Sequence, residues 1–443
     1  MDVRGSGPVQ QKAVVEVKSR VQDLLAQLDG EKPARRLGRL ILSRRLEASM
    51  FEVLQPAQPD KILALIALHR DDPRPEKIDL GVGVYKDTAG ATTIMRAVRE
   101  AEGRLLAGQA TKSYLGMAGD EAFNRAMAAV VFGDTADLSR IRGCQAPGGS
   151  GALRILAELL HLARPDAAVW LPDPTWANHL ALIQGTGLKI KRYPYFDETS
   201  GLVRFEAMVE ALQAASPGDI VLVHGCCHNP TGADLSLPQW RALAELFGQR
   251  NLFPFVDLAY QGFGDGLDED AAGLRLLAEA LPEMAVAVSC SKNFAVYRDR
   301  VGVALLLGRS KAEAEVAAGQ LMSAARAIYS MPPDHGAAAV RIILTDPALR
   351  ADWQAELTSM RERMQGLRVK LAEALRRATN SSRFDFLTEN KGMFSRLGLD
   401  PAQVEELRLT HAVYMVGDSR INVAGIPEDR VDDLARAIAQ TLR

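Results

Sequence analysis

The sequence predicts an α/β fold that is built around a mainly parallel β-sheet and carries a second, smaller domain. Residues 148–302 alternate short apolar runs with longer amphipathic stretches, which is the pattern of successive β-α-β units. The chain of 443 residues exceeds the common domain length of about 100 to 200 residues, so we expect two domains. After residue 333 the pattern changes to a long helix-like region at 335–378, which we assign to the smaller domain.

The individual elements follow from the periodicity of the apolar residues. We expect strands at the short apolar runs 168–171, 189–193, 220–224, 253–256, 285–289 and 303–307. Helical periodicity predicts helices at 152–162, 237–250 and 271–281. Beyond residue 378 the pattern predicts a hairpin-like stretch and a final helix from about Glu428.

The domain boundaries are placed where the pattern changes. We expect an N-terminal extension outside the catalytic fold at 1–49, an N-terminal arm and part of the small domain at 50–95, the large domain at 96–332 and the small C-terminal domain at 333–443. The extension carries five arginines between residues 35 and 45. It fits a leader from an upstream start site better than a targeting sequence, because targeting sequences are poor in acidic residues and this one has Asp23, Asp29 and Glu31.

Composition and charge exclude several classes of protein. Hydrophobic residues make up 47% of the chain and charged residues 24%, which fits a globular protein rather than a disordered or fibrous one. The formal net charge of −2 gives no general positive field, so we expect neither a nucleic-acid nor a membrane partner. The four cysteines lack the paired spacing of metal ligands, so we expect no metal, and a location in the reducing cytoplasm.

Two polar residues follow predicted strands at positions where ligands bind. Ligands of open parallel sheets lie beyond the carboxyl ends of the strands. Lys292 comes just after the run AVAVSCS, and Asp257 ends the run FPFV, with Tyr260 three residues later. A lone lysine there is usually a solvated strand end, and a lone aspartate is usually a cap or loop anchor. A buried aspartate nevertheless needs a cationic partner, which a protonated pyridine nitrogen would supply.

Three further features are suited to binding anions or to presenting an amide. The run PGGSGALR at 147–154 opens a helix, where small residues let backbone N–H groups approach a phosphate, although a plain tight turn is equally compatible. Asn229 is held extended by the following proline, so its amide can face a ligand. Arg300 and Arg420 carry the planar guanidinium that matches phosphate or carboxylate, although single arginines are usually surface charges. A Schiff-base lysine, an aspartate for a pyridinium, a phosphate turn and an arginine together predict pyridoxal phosphate as the cofactor.

Ten short motifs resemble, in the same order, the class I pyridoxal-phosphate aminotransferases of the aspartate and aromatic amino acid type, and most closely the bacterial aromatic enzymes. The resemblance extends from about residue 50 to the C-terminus and rests on LGVGVYKD, TKSYLG, PGGSGALR, DPTWANH, HGCCHNPTG, DLAYQGF, SCSKNF, RDRVG, MFSRLG and GDSRINVAG. It implies fold type I of the pyridoxal-phosphate-dependent transferases, an α/β fold in which a large domain with a mostly parallel seven-stranded sheet adjoins a smaller α/β domain. It also implies a homodimer with active sites at the subunit interface.

The resemblance implies three catalytic residues, Lys292, Asp257 and Tyr260. Lys292 would hold the cofactor covalently, Asp257 would pair with the ring nitrogen and Tyr260 would bind the ring oxygen. The other implied cofactor-binding residues are Asn229 at the ring oxygen, Trp176 on the ring face, His179 behind Asp257, and Gly149, Ser150, Ser289, Arg300 and the partner subunit's Tyr114 at the phosphate.

The resemblance also implies how substrates bind. Arg420 would bind the α-carboxylate beside the backbone of Gly83, with Trp176 and Asn229 also facing the substrate. Arg326, in RAIYSMPP, matches the arginine that this family extends into the other subunit's site to bind the distal carboxylate of a dicarboxylic acid.

Two apolar residues near Arg326 bear on the choice of substrate. Ile328 and Met331 occupy positions where aspartate enzymes often carry asparagine, and a pocket without those amides discriminates less against an aromatic ring. We therefore expect transfer of the amino group of phenylalanine, tyrosine, tryptophan and aspartate to 2-oxoglutarate in a ping-pong cycle. Lys292 would move the Cα proton as a neutral amine, because the positive ring system lowers its pKa.

Several alternatives stay open from the sequence. The first is an aspartate aminotransferase with little aromatic activity. A lyase or decarboxylase would use the same lysine and aspartate, although Arg326 argues against it. A nucleotide-binding protein would use PGGSGALR as its phosphate loop, but this run lacks both the GK ending of a P-loop and GxGxxG spacing. A non-catalytic protein of the same fold is disfavoured by the intact lysine, aspartate and arginines.

Overall fold

A seven-stranded β-sheet forms the centre of the unit Asp60–Arg443. The computed structural model describes residues 51–56, 61–134 and 136–443. The extension expected at 1–49 lies outside the described residues, so its role stays a prediction. The strands within the described residues are β1 (Ile78–Asp79), β2 (Ile141–Pro147), β3 (Ala168–Asp173), β4 (Lys189–Pro194), β5 (Ile220–His224), β6 (Phe253–Leu258), β7 (Met284–Ser289), β8 (Val301–Leu307), β9 (Phe394–Arg396), β10 (Val413–Tyr414) and β11 (Arg420–Asn422).

The large sheet has the order β2-β8-β7-β6-β5-β3-β4, and its pairs are parallel except where β8 meets β2 and β7. This arrangement confirms the predicted α/β fold with a mostly parallel sheet. Every residue of β5, β7 and β8 is buried, as expected for strands that are covered on both faces. All six predicted strands are present, with ends that differ by at most two residues.

The edge strand β2 was not predicted. Its sequence IRGCQAP contains glycine, proline and two polar residues, and it therefore lacks the apolar run that marks a central strand. An edge strand pairs on one side only, and β2 pairs antiparallel with β8 through all seven residues.

The helices cover the faces of the sheet and build the C-terminal region. They are α1 (Lys61–Asp71), α2 (Arg96–Gly108), α3 (Glu121–Phe132), α4 (Gly148–Ala163), α5 (Asn178–Gln184), α6 (Phe205–Gln213), α7 (Leu237–Arg250), α8 (Ala272–Ala280), α9 (Lys311–Ile328), α10 (His335–Thr345), α11 (Pro347–Thr379), α12 (Pro401–His411) and α13 (Val431–Thr441). Helix α7 has the predicted bounds, because a capping box of Ser236 and Gln239 starts it and Asn251 ends it in the left-handed conformation.

Three expectations about the C-terminal region were wrong in detail. The region 335–378 forms two helices rather than one, because Asp346 caps α11 and Pro347 opens it. The expected hairpin is a pair of antiparallel strands, β9 and β11, between which α12 is inserted. The final helix begins at Val431, since 428–430 form a 3₁₀ turn.

Three apolar clusters hold these elements together. Two of them cover the large sheet, and the larger includes the buried residues of α10 and of α11 as far as Met364. The third combines Ile78 and Leu80 with residues between 367 and 438, and therefore joins an N-terminal segment to the C-terminal region. Among the described residues, no helix has the length and apolar character that crossing a membrane requires.

Candidate active site

A cavity of about 230 Å³ lies at the carboxyl ends of β5, β6 and β7, where open parallel sheets bind ligands. Its volume is close to the lower end of the range for small-molecule sites. Eleven predicted site residues line it, and they come from segments far apart in the sequence: Gly83, Gly149, Ser150, Trp176, Asn229, Asp257, Tyr260, Ser289, Lys292, Arg300 and Arg420. The fold therefore brings most of the predicted site into one place.

Asp257 is the buried carboxylate of this cavity and is held by a chain of hydrogen bonds. Its Oδ2 lies 2.9 Å from Nε2 of His179, whose Nδ1 lies 2.8 Å from Oγ1 of Thr175. The same hydroxyl lies 3.2 Å from Nε2 of His224. All three contacts are satisfied when both histidines carry a proton on Nε2 and the Thr175 hydroxyl donates to His179.

The electrostatics of Asp257 favour an anion. Burial raises the pKa of this carboxyl, but the hydrogen bond from His179 and the nearby Lys292 amine outweigh burial, so the pKa lies below its usual value. Burial also lowers the pKa of His224 to about 3, so His224 is neutral at physiological pH. The carboxylate is therefore available to a cation that enters the cavity.

Lys292 follows β7 by three residues and faces the same cavity. Its Nζ lies 4.9 Å from the centre of the Tyr260 ring. Burial lowers the pKa of Lys292 to about 8; the Asp257 carboxylate opposes this shift and the Arg300 guanidinium adds to it. A sizeable fraction of the amine is thus uncharged near neutral pH, as a nucleophile or a base requires.

The junction of β2 and α4 forms an anion cradle. Gly148 has φ +72, and a Cβ there would lie 2.5 Å from Nη2 of Arg300. A Cβ on Gly149 would lie 3.0 Å from Cβ of Ser289, so the space at this turn stays open only with glycine. The first backbone N–H groups of α4 have no partner within the helix and lie at the positive end of its dipole.

Arg420, the first residue of β11, is buried, and no described carboxylate forms an ion pair with it. Its Nη1 donates to Oδ1 of Asn229 at 3.4 Å and its Nη2 to the Gly81 carbonyl at 3.1 Å, while its Nε has no partner. A buried guanidinium without an anion is costly unless an anionic ligand compensates it. Arg420 is therefore suited to bind a carboxylate inside the cavity.

The cavity as a whole fits pyridoxal phosphate. It offers a partly neutral lysine for an aldehyde, a carboxylate for a protonated ring nitrogen and an open glycine turn beside Arg300 for a phosphate. Trp176 lines the cavity and contacts His179 edge to face, with ring centres 5.3 Å apart. Of the predicted residues, His179 lies behind the cavity and contacts it through Asp257.

Besides His179, two predicted residues do not line the cavity in the single chain. The side chain of Tyr114 is 91% exposed. Arg326 is also exposed, in the last turn of α9, where it donates to the hydroxyl of Ser330. Their roles stay predictions, and both were expected to act in the site of a partner subunit.

The cavity also contains residues that the sequence analysis did not select. They are Ile62, Leu153, His224, Ala259, Ser291, Tyr297 and Phe394. His224 and Phe394 belong to the motifs HGCCHNPTG and MFSRLG, so their position within matched motifs was a usable signal. Ile62 and Tyr297 lie outside the matched motifs and carried no such signal.

The cysteines are free and buried, and one pair lies near an aspartate. Potential ligand atoms of Cys226, Cys227 and Asp270 lie within 4.8 Å of one another. Burial raises the pKa of the Cys227 thiol to about 12, and Asp270 already accepts three backbone N–H groups. We therefore assign no metal to this cluster.

Comparison with known proteins identifies the family. The family model of aminotransferase class I and II matches residues 75–438. The aromatic-amino-acid aminotransferase of Paracoccus denitrificans is 50% identical over 391 residues, which are 88% of this chain and 99% of that protein. The aspartate aminotransferase of Escherichia coli (strain K12) is 43% identical over 396 residues, which are 89% of this chain and 100% of that protein.

A solved structure agrees with these relatives. The crystal structure of the aromatic-amino-acid aminotransferase from Burkholderia pseudomallei, covalently bound to pyridoxal phosphate, matches with a TM-score of 0.87 at 41% identity. The match covers 89% of this chain and 100% of that one. The chain therefore belongs to the class I and II aminotransferases and is a pyridoxal-phosphate-dependent enzyme.

Proposed function

We propose that the protein transfers the amino group of aromatic amino acids and of aspartate to 2-oxoglutarate, with the first oxo acid leaving before the second binds. The observation that carries this proposal is the shared cavity of Lys292, Asp257 and Arg420. The substrate class is supported by relatives of both kinds, the Paracoccus aromatic enzyme at 50% identity and the Escherichia coli aspartate enzyme at 43%. Apolar Ile328 and Met331 near Arg326 are consistent with an aromatic ring.

Lys292 is the residue that moves the proton. Bound pyridoxal phosphate supplies an aldehyde that condenses with amines and a protonated ring that withdraws electrons from the substrate Cα. The Nζ of Lys292 would hold the cofactor covalently, and as a neutral amine it would take the proton from the substrate Cα. A pKa of about 8 leaves the amine able both to accept and to return that proton.

The remaining cavity residues bind and orient. Asp257, held by His179, would keep the ring nitrogen protonated, while Tyr260 and Asn229 would bind the ring oxygen and Trp176 would contact the ring. Gly149 and Ser150 at the start of α4, together with Ser289 and Arg300, would hold the phosphate. Arg420 binds the substrate α-carboxylate beside the backbone of Gly83.

The proposed assembly is a homodimer that shares its active sites. The exposed positions of Tyr114 and Arg326 support this, because each residue has a binding role only if the other subunit's cavity receives it. The partner subunit's Tyr114 would complete the phosphate site, and the partner subunit's Arg326 would bind the distal carboxylate of a dicarboxylic substrate. The four free cysteines are consistent with a reducing cytoplasm.

The proposed domain division keeps the predicted boundaries. The large domain at 96–332 contains the whole seven-stranded sheet. The apolar cluster that joins Ile78 and Leu80 to residues between 367 and 438 supports a small domain built from the arm and the C-terminal region.

Replacement of Lys292 tests the proposed chemistry. We expect Lys292→Ala to lower kcat/KM for every amino acid by about 10⁴-fold or more, because both the covalent link and the base are lost. Lys311→Ala, which removes an exposed amine at the start of α9, is the matched control and should leave activity unchanged. Near-normal turnover by Lys292→Ala would refute the assignment.

A substrate profile tests the specificity. Steady-state kcat/KM should be measured for phenylalanine, tyrosine, tryptophan and aspartate with 2-oxoglutarate as acceptor. We expect activity with the aromatic acids and with aspartate. The second candidate function, an aspartate aminotransferase with little aromatic activity, is favoured by Arg326 and would be established by turnover of aspartate alone.

A further inference from the structure

Arg368 is a buried cation of α11 that lies outside the active-site cavity. It is 2% exposed, and none of the described carboxylates forms an ion pair with it. Its Nη1 donates to Oγ of Ser395 at 2.7 Å and its Nη2 to the Phe394 and Gly392 carbonyls at 2.7 and 2.8 Å. Longer bonds join it to the carbonyls of Leu387 and Lys391, at 3.4 and 3.2 Å. One guanidinium thus binds five oxygens of a single segment, 387–395.

Most of this segment is irregular, so few backbone partners satisfy its carbonyls. A buried carbonyl without a donor costs free energy, and a buried arginine without a carboxylate is unfavourable unless its N–H groups are used. Arg368 meets the two requirements through its two terminal nitrogens, while its Nε has no partner among the described residues. Its guanidinium therefore determines the path of the backbone that leads into β9.

Phe394, the first residue of β9, connects this backbone to the cavity. Its ring centre lies 4.4 Å from the guanidinium carbon of Arg420 and 6.0 Å from the ring centre of Tyr260. A Cβ on Gly83 would lie 3.0 Å from Cζ of Phe394, so the ring also borders the segment beside the substrate. β9 pairs antiparallel with β11, so the backbones that carry Phe394 and Arg420 are bonded to each other.

The guanidinium of Arg420 depends on this ring for its position. Its two other contacts are long, at 3.4 and 3.1 Å, and its Nε has no partner. A cation–π contact in a desolvated place is one of the stronger ways to fix a guanidinium without neutralising it. A shift of the ring would consequently move the group that binds the carboxylate.

We infer that Arg368 is a positioning residue for substrate binding: by binding the backbone of 387–395, it holds the Phe394 ring against the Arg420 guanidinium. The inference rests on the proposed role of Arg420 in binding the α-carboxylate. Arg368 contacts neither substrate nor cofactor in this scheme. It acts on the affinity for a carboxylate and leaves the proton transfer at Lys292 unchanged.

The test measures carboxylate affinity in the holoenzyme without catalysis. The probe is 3-phenylpropionate, which has a ring and a carboxylate but no amine, and its Kd is measured by calorimetry for Arg368→Lys, Phe394→Leu and the double variant. We expect each single variant to weaken binding by about 3- to 30-fold, the range of one cation–π contact. KM for phenylalanine should rise similarly, while kcat and the cofactor absorbance stay close to those of the parent.

The double variant decides whether Arg368 acts through Phe394. If it does, the two losses are not additive, and the double variant binds the probe about as weakly as Phe394→Leu. Losses that multiply in the double variant would overturn the inference, as would parental affinity in Arg368→Lys. Arg377→Lys, an exposed position of the same helix, is the matched control and should bind like the parent.

Two more variants keep the test decisive. Ser395→Ala removes one Arg368 contact, so it should weaken binding in the same direction by a smaller factor if Arg368→Lys fails to fold. Unchanged affinity in Ser395→Ala would then contradict the inference. Arg420→Lys separates the two proposals. Unchanged probe affinity in Arg420→Lys would refute the role of Arg420 in binding the carboxylate. Weak binding by Arg420→Lys together with parental affinity in Arg368→Lys would refute only the positioning role of Arg368.

Discussion

Two groups of predicted site residues differ in their surroundings within the single chain. One group is Asp257 and Lys292, which form the floor of the cavity, and the other is the exposed pair Tyr114 and Arg326. Asp257 lies in β6 and Lys292 follows β7 of the same sheet, and their surroundings in the single chain already shift their pKa values. Tyr114 is 91% exposed, and within the described residues the hydrogen-bond partner of Arg326 is the Ser330 hydroxyl. One chain thus brings the proposed chemical residues together on its sheet, and we propose that substrate selection depends on residues that need the surface of a partner subunit.

After the loss of Lys292, the next largest effect should come from breaking the floor of the cavity at Asp257. Asp257→Asn keeps the shape of the side chain and an oxygen that accepts from His179, but it removes the negative charge that would keep the ring nitrogen protonated. We therefore expect kcat/KM to fall about 10²- to 10³-fold for every amino acid. Asp219→Asn is the control, because Asp219 is also buried but lies at the amino end of the sheet. Equal losses in both variants would mean that Asp257 serves stability alone.

Removal of Arg326 should affect one class of substrate. Arg326→Ala loses a bidentate partner for the distal carboxylate, so we expect kcat/KM for aspartate to fall about 100-fold while that for phenylalanine changes little. Arg309→Ala removes another exposed arginine close to α9 and is the matched control. Equal losses for aspartate and phenylalanine would contradict the proposal that Arg326 serves dicarboxylic substrates, while Asp257 and Lys292 serve every substrate.

Mixed subunits test whether the exposed residues act in the partner's site. Lys292→Ala and Arg326→Ala subunits are unfolded and refolded together, and aspartate turnover is measured. Half of the dimers are then mixed and contain one complete site of two, so we expect recovery of about a quarter of the parental activity. A mixture of Lys292→Ala with Asp257→Asn should show no recovery, because both residues belong to the same subunit's cavity. Absence of recovery in the first mixture would refute the shared site.

The sequence predicted what local patterns and strand ends determine. Five of the six predicted strands are runs of mostly buried residues, and such runs are visible without knowledge of their neighbours. Helix α7 was bounded correctly because Ser236, Gln239 and Asn251 are local start and stop signals. Lys292 and Asp257 were found because parallel strands end at one edge, so polar residues after two strands converge.

The features that were missed depend on long-range contacts. The strand β2 is polar because it forms an edge, and its pairing with β8 is set by residues far along the chain. His224 is linked to Asp257 through Thr175, which no spacing in the sequence indicates. Arg368 has the sequence context of an exposed helical arginine, and only the fold of 387–395 around it makes it a buried one.

The smallest expected effect concerns the stability of the cofactor-free protein. Burial lowers the pKa of Lys292 from its ordinary value of 10.5 to about 8. Below about pH 8 the amine is charged in the folded and unfolded states, and the cost of burying that charge opposes folding. As the pH rises from about 8 to 10.5, the folded protein loses its proton first, so the cost disappears and this residue's contribution to stability increases.

Lys292→Met should therefore stabilise the cofactor-free protein by about 1 to 2 kcal/mol at pH 7 and by clearly less at pH 10. The measurement is urea unfolding of variant and parent at both pH values. The control is Lys311→Met, because Lys311 lies at the exposed start of α9. A stabilisation of equal size at both pH values would mean that the methionine improves packing and that burial of charge is not its cause. If the stabilisation is smaller at pH 10 than at pH 7 for Lys292→Met but not for Lys311→Met, the low pKa of Lys292 is a consequence of its burial at the cavity floor.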